Sequence, residues 1–138
     1  MPEVSINYWA VLVAGVVNVA IGFVWYAKGV FGAKWAQDLG KNIDEMGKDP
    51  KVMYKTMPIM IVGSFLMPYV LAHFVDYTNS QNWVDGVVTA AWIFVGFALT
   101  MGAMNYSFAQ KKLRLFLIEY GNIFVSMVVA GAILGGWR

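Results

Sequence analysis

The chain has 138 residues, enough for one domain, and 59% of them are hydrophobic against 13% charged. Soluble domains carry about 25% charged residues, so this composition cannot cover a water-facing surface; a mean hydropathy of +0.60 agrees. The formal net charge is only +2, and the basic residues alternate with acids or flank apolar stretches, which is no footprint for nucleic acid. Cysteine is absent, which excludes disulfides, thiol nucleophiles, CxxC redox centres, CxxCH haem attachment and thiolate zinc sites. The single histidine, His73, excludes a bis-His haem within one protomer.

A first apolar segment runs over residues 6–27. Glu3 precedes it and Lys28 follows it, the reverse of a signal peptide, and no small-x-small cleavage site closes it, so a retained span is expected. Tyr8 and Trp9 mark one membrane interface, Trp25 and Tyr26 the other. Gly15, Asn18 and Gly22 share one helical face, where small residues admit a neighbouring backbone and Asn18 can hydrogen-bond across the contact.

Residues 28–55 form the one sizeable loop. Phe31, Trp35 and Leu39, with Lys34, Gln37 and Asp38 between them, predict a short amphipathic turn resting on the membrane surface. Asp49-Pro50 supplies an N-cap followed by proline at the first helical position. The second span covers 56–77, with an extension back to Pro50. Pro58 and Pro68 lie inside it and kink it, as membrane helices tolerate when neighbours re-satisfy the freed carbonyls. The polar connection from Thr78 to Asn82 is short, so the second and third spans are antiparallel neighbours.

The third span covers 84–109, with a stripe of mostly small residues: Ala91, Val95, Ala98, Gly102, Asn105 and Ala109. After the tight basic loop 110–114, the fourth span covers 113–136. Eighteen residues without charge follow Glu119; at ~1.5 Å each they extend about 27 Å, close to the ~30 Å thickness of a bilayer's hydrocarbon core. Glu119, Asn122 and Ser126 share a face, and Gly131 and Gly135 form a GxxxG pair. The 28–55 and 110–114 segments lie on one side and hold nine of the ten Lys and Arg residues. The positive-inside rule then places both in the cytoplasm and both termini on the outer side.

These residues resemble a family. Asn7-Tyr8-Trp9-Ala10-Val11, Gly22-Phe23 followed by Trp25-Tyr26, and Phe31-Gly32 with Trp35 and Leu39-Gly40 look like the start of the small bacterial membrane family catalogued as domain of unknown function 1761. Gly96-Phe97, the short basic loop, and Ile118, Gly121 and Ala132-Ile133-Leu134 look like its end. The resemblance covers most of the chain. It implies a four-helix protein of the bacterial inner membrane and no particular activity.

Two groups of polar residues are candidate sites. Glu119 is an ionisable group inside a span, a functional hypothesis by default. Lys28, Lys55 or Arg114 could reach it by snorkelling, and with Asn18, Asn105 and Asn122 it could form an internal polar core. His73, Asp76 and Asp85 could hold a divalent cation near the outer face, or could be interfacial residues in contact with water and headgroups. No GxSxG elbow, HExxH helix or phosphate-binding glycine loop is present. The four-span membrane glutathione and eicosanoid transferases rely on Arg and Glu within their helices, and no Arg lies deep in a span here. The expectation is an all-α integral membrane bundle of four transmembrane helices with no catalytic residue, cofactor or metal. It partners the lipid bilayer and itself, as a homo-oligomer in a structural or accessory role. The competing expectation is a small-solute, proton or ion pathway lined by Glu119 and the asparagines.

Overall fold

The computed structural model describes residues 3–138, and among these every regular element is helical. Helix α1 spans Tyr8–Trp25. A short α2 follows, with a π-helical first turn over Lys28–Gly32 and an α-helical remainder over Ala33–Asp38. Helix α3 spans Pro50–Tyr77. Helix α4 runs over Trp83–Phe108, with a π-helical stretch at Phe94–Leu99. Helix α5 spans Leu113–Gly136. All but α2 are long and apolar enough to cross a membrane. The loop expected over 28–55 is thus shorter, because α2 occupies its start and α3 its last six residues.

Local chemistry sets the helix boundaries. The Asn7 side chain accepts from the amides of Trp9 at 3.0 Å and Ala10 at 3.2 Å, satisfying two of the first-turn donors that a helix leaves open. Asp49 does the same for Lys51 at 2.9 Å, with Pro50 behind it. At α4, Asn82 accepts from the Val84 and Asp85 amides, and the Asp85 carboxylate accepts from the amide of Gln81 and the side-chain amide of Asn82. Between α2 and α3 the chain turns at Gly40 (φ +70°) and Gly47 (φ +87°), left-handed positions that suit glycine.

Helix α5 packs against every other helix, and most extensively against α4. That contact is backbone on backbone. A Cβ added at Gly86 would strike the Gly131 carbonyl, one at Gly131 the Gly86 carbonyl, and one at Gly135 the Asn82 carbonyl. Lipid tails are as apolar as leucine, so close van der Waals approach, rather than hydrophobic burial, brings such helices together. Around this crossing lies a core of Ala10, Ala14, Leu71, Val75, Ala90, Phe94, Met127, Ala130 and Leu134, all in the half of the bundle nearest the termini. Outside it, Ile59, Trp92, Phe97 and Phe108 are largely exposed on the bundle's perimeter. An apolar surface of that extent belongs in hydrocarbon.

Two expectations about helix faces change. Along α4, Val95, Asn105 and Ala109 are exposed, and the buried positions include Gly86, Ala90, Phe94, Gly102 and Tyr106. These recur every four or eight residues, a spacing that drifts about 40° for every four residues around an α-helix of 3.6 residues per turn. The wider π turns at Phe94–Leu99 take up much of the drift, and the Thr100 hydroxyl bonds the Val95 carbonyl five residues back at 2.8 Å. Along α1, Gly15 lies under the ring of Phe65, but Gly22 faces open space. The packing face therefore ends at Asn18.

Asn18 is buried and repairs a break in α3. Pro68 has no amide hydrogen, so the Ser64 carbonyl one turn earlier lacks its helical donor. The Asn18 side-chain amide donates to that oxygen at 3.3 Å. We expect Gly131→Val to destabilise the bundle by about 1–3 kcal/mol through forced separation of α4 and α5. Gly96→Ala, which meets nothing within 4 Å, should be neutral or stabilising by up to about 1 kcal/mol. Thermal unfolding of the two variants in one detergent tests the contrast.

Candidate functional site

The basic end of the bundle is built differently from the tightly packed end. Here the chain leaves α1, runs through α2 and meets the first two turns of α5. Trp25 donates its indole N–H to the Ile118 carbonyl at 2.9 Å, and its ring packs on Phe31 at 4.7 Å between centroids. Tyr26 packs on Trp35 at 4.9 Å. The apolar edge of α2 expected to rest on the membrane surface is therefore turned in part against the bundle.

Glu119 sits at the centre of this end, half-buried. Trp35 Nε1 donates to its Oε1 at 3.0 Å, and the Tyr106 hydroxyl donates to its Oε2. One carboxylate thus joins α2, α4 and α5. No cation reaches it among the described residues. Lys28 pairs with Asp44 at 2.7 Å, and Arg114 grips Asp38 through Nε at 2.7 Å and Nη2 at 2.6 Å. Two of the three expected snorkelling partners are thus spent on Asp44 and Asp38, and Lys55 forms no contact with Glu119. Tyr106 also packs edge-on against Phe116 and Tyr120, so the carboxylate is flanked by rings.

The asparagines do not gather around Glu119 as a polar core. Asn105 is exposed on the outer side of α4. Asn18 serves the Ser64 carbonyl, and its Oδ1 has no partner; the buried Nδ2 of Asn122 has none either. The two donors that do engage the carboxylate, Trp35 and Tyr106, carry no charge and form no motif. Their only signal in the sequence is depth, since both lie within a turn or two of the same interface as Glu119.

The outer cluster likewise separates. His73 Nδ1 lies 2.9 Å from the Tyr69 carbonyl and its ring stands edge-on to Tyr69. Asp76 takes the Arg138 guanidinium and, at 3.4 Å, the Ser5 amide. Asp85 caps α4. Among the described residues no three His, Asp or Glu side chains come together as a metal site. What this end holds instead is a tie between the chain's extremities: Arg138 also donates to the Ser80 carbonyl, and the Asn7 side chain donates to the Trp137 carbonyl at 3.2 Å. Beneath it Thr78, Ser80 and Thr89 link hydroxyls at 2.9–3.2 Å across the α3–α4 connection.

Residues 9–135 match the model of a family described as protein of unknown function, DUF1761. The chain belongs to that family. Within this DUF1761 protein the matched stretch takes in all five helices except the first residue of α1 and the last of α5. No curated protein and no solved structure matches it. The family description assigns no activity, so any role rests on the geometry above.

The Arg114–Asp38 clamp makes the anchoring of α2 depend on pH. Hydrogen bonding from the Arg114 guanidinium, aided by Lys112, holds the Asp38 carboxyl below its usual value of 3.8. A depressed carboxyl contributes stability that is complete above its unfolded value and is lost as pH falls through the folded one. Anchoring of α2 should therefore be constant from pH 7 down to about pH 4 and weaken below it. Asp38→Asn should loosen α2 already at pH 7. Hydrogen exchange over residues 28–38, corrected for intrinsic pH dependence, measures both.

Proposed function

We propose that this multi-pass membrane protein is a non-enzymatic structural or accessory component whose intramembrane polar groups serve packing. The observation that carries this is the Glu119 carboxylate, both of whose oxygens accept from uncharged donors on other helices. A pathway carboxylate needs to exchange its proton or cation with water, whereas this one is committed to holding α2, α4 and α5 together. Asn18 is likewise committed to the carbonyl that Pro68 frees.

The same reading places the protein in a bacterial inner membrane, with the basic connectors in the cytoplasm and both termini outside. The support is the charge asymmetry together with the segregation of Lys28, Lys34, Lys112 and Arg114 at one end of the bundle and Arg138 at the other. It also takes the protein as a homo-oligomer. Gly22 and Gly63 have nothing within 4 Å of the space a Cβ would fill, which leaves room for another helix to approach closely. Native mass spectrometry in mild detergent should give a defined oligomer, and a spectrum of monomers alone overturns that part.

A proton or ion pathway is the second reading, favoured by the unpartnered Asn18 Oδ1 and Asn122 Nδ2 atoms in the interior. Tyr106→Phe and Trp35→Phe should each cost about 1–2 kcal/mol, the range for intramembrane bonds and for bonds to a charged acceptor. Glu119→Ala should cost at least as much, because it orphans both donors. Wild-type proteoliposomes should conduct protons and alkali cations no faster than protein-free ones. Flux that vanishes in Glu119→Gln, with the variant folded and assembled, transfers the assignment to the pathway.

A further inference from the structure

Beside the Glu119 cluster, on the bundle's outer side, α1, α2 and α5 diverge and leave an open crevice of about 370 Å³. That is within the ~300–1,000 Å³ range of ligand-binding clefts. Its walls are the rings of Trp25 and Phe31 and the Leu117 side chain, with Gly121 at its deep end. The absent side chain at Gly121 matters, since a Cβ there would sit 3.1 Å from the Trp25 ring. Lys34 and Arg114 stand at the other end. From Arg114 to Gly121 is seven residues of α5, about 10 Å along its axis. The crevice thus runs from a cationic mouth at the membrane interface into an apolar slot parallel to a transmembrane helix.

The mouth has positive charge to spare. Arg114 is bound to Asp38 on one edge, but its Nη1 has no acceptor among the described residues, and Lys112 shares the same carboxylate at 3.4 Å. Lys34 has no acidic partner among the described residues. Three cations face one carboxylate at the rim, and Glu119 lies behind Trp35 with both oxygens taken. A molecule that satisfies this arrangement carries an anion at one end and an alkyl chain at the other.

We propose that the crevice seats an acyl chain of an anionic phospholipid, whose phosphate is held by Lys34 and Arg114. The chain replaces lipid contacts that the rigid Trp25 and Phe31 rings cannot close by themselves. The phosphate completes the guanidinium already oriented by Asp38. Each basic residue near a membrane surface contributes about 1 kcal/mol toward an anionic headgroup, roughly fivefold in affinity. Binding of this kind is independent of whether Glu119 acts in packing or in conduction.

Native mass spectrometry of the protein in mild detergent, titrated separately with phosphatidylglycerol and phosphatidylcholine, tests it. Wild type should retain one phosphatidylglycerol roughly twenty-five-fold in preference to phosphatidylcholine, from two rim cations at about fivefold each. Lys34→Ala should reduce that preference about fivefold and Lys34→Arg should restore it, whereas Lys48→Ala, which removes the same charge from the connector, should not change it. Leu117→Trp fills the slot without touching the cations and should displace the lipid. Circular dichroism and oligomer mass establish that each variant is folded. Equal retention of the two lipids, or undiminished phosphatidylglycerol binding in Leu117→Trp, overturns the proposal. So does competition by glycerol phosphate at the lipid's own concentration, which would make this a free-anion site. Occlusion of the crevice by a second copy, seen as dimers that exclude the lipid, overturns it as well.

Discussion

In hydrocarbon, apolar surface gains little by meeting apolar surface, so helices cohere where their backbones can touch. In this chain that happens at the crossing of α4 and α5, where Gly86 lies against Gly131 and Gly135. Every other placement follows. With α4 and α5 locked at the end near the termini, the alanine-rich face of α1 and the Leu71–Val75 turn of α3 close the core around them. The bundle is tight at one end and looser at the other, and the looser end carries the aromatic rings, the half-buried carboxylate and the crevice.

That looser end is held by directional contacts instead. Intramembrane hydrogen bonds are individually modest, but an unmet donor or acceptor in a medium without water is costly. Helix α2 brings its Trp35 indole to the Glu119 carboxylate and its Asp38 to Arg114, so a six-residue α-helical segment too short to be stable alone acquires a fixed position. Trp25, bonded to the Ile118 carbonyl, sets the angle at which the chain leaves α1. The same logic explains Asn18 and Pro68. Pro68 leaves the Ser64 carbonyl of α3 without its helical donor, and the asparagine on α1 supplies one.

Much of this was legible from residue order because its signals are local. Four long uncharged stretches fixed by bilayer thickness, the Asp49-Pro50 start of α3 and the Gly131/Gly135 pair all needed only neighbouring residues to be read. The parts that escaped depend on partners far apart in the chain. Amphipathicity in Phe31, Trp35 and Leu39 looks the same whether the apolar edge meets lipid or protein, and only the fold turns Trp35 toward a carboxylate 84 residues away. Asn18 and Pro68 were each conspicuous, but their connection through the Ser64 carbonyl is a fact of packing. The Asn105 stripe failed because a sequence read at constant helical pitch cannot register the π turns at Phe94–Leu99. His73, Asp76 and Asp85 share the chemistry of a cation site, yet each had a nearer occupation.

The π-helical stretch also bears on how lineages of this chain can change in length. It joins two stretches of α4 with different tasks: Gly86, Ala90 and Phe94 serve the crossing and its core, while Gly102 faces Tyr120 and Tyr106 reaches Glu119. If substitutions returned residues 94–99 to ordinary pitch at constant length, the second half would swing by about 100°. Tyr106 would leave Glu119, while the glycine crossing two turns earlier stayed in place. Loss of one residue there has the opposite result, because it removes the extra residue that the wide turn holds and leaves both faces set as they are. Residues 94–99 are therefore where α4 can shorten by one codon without uncoupling its two ends.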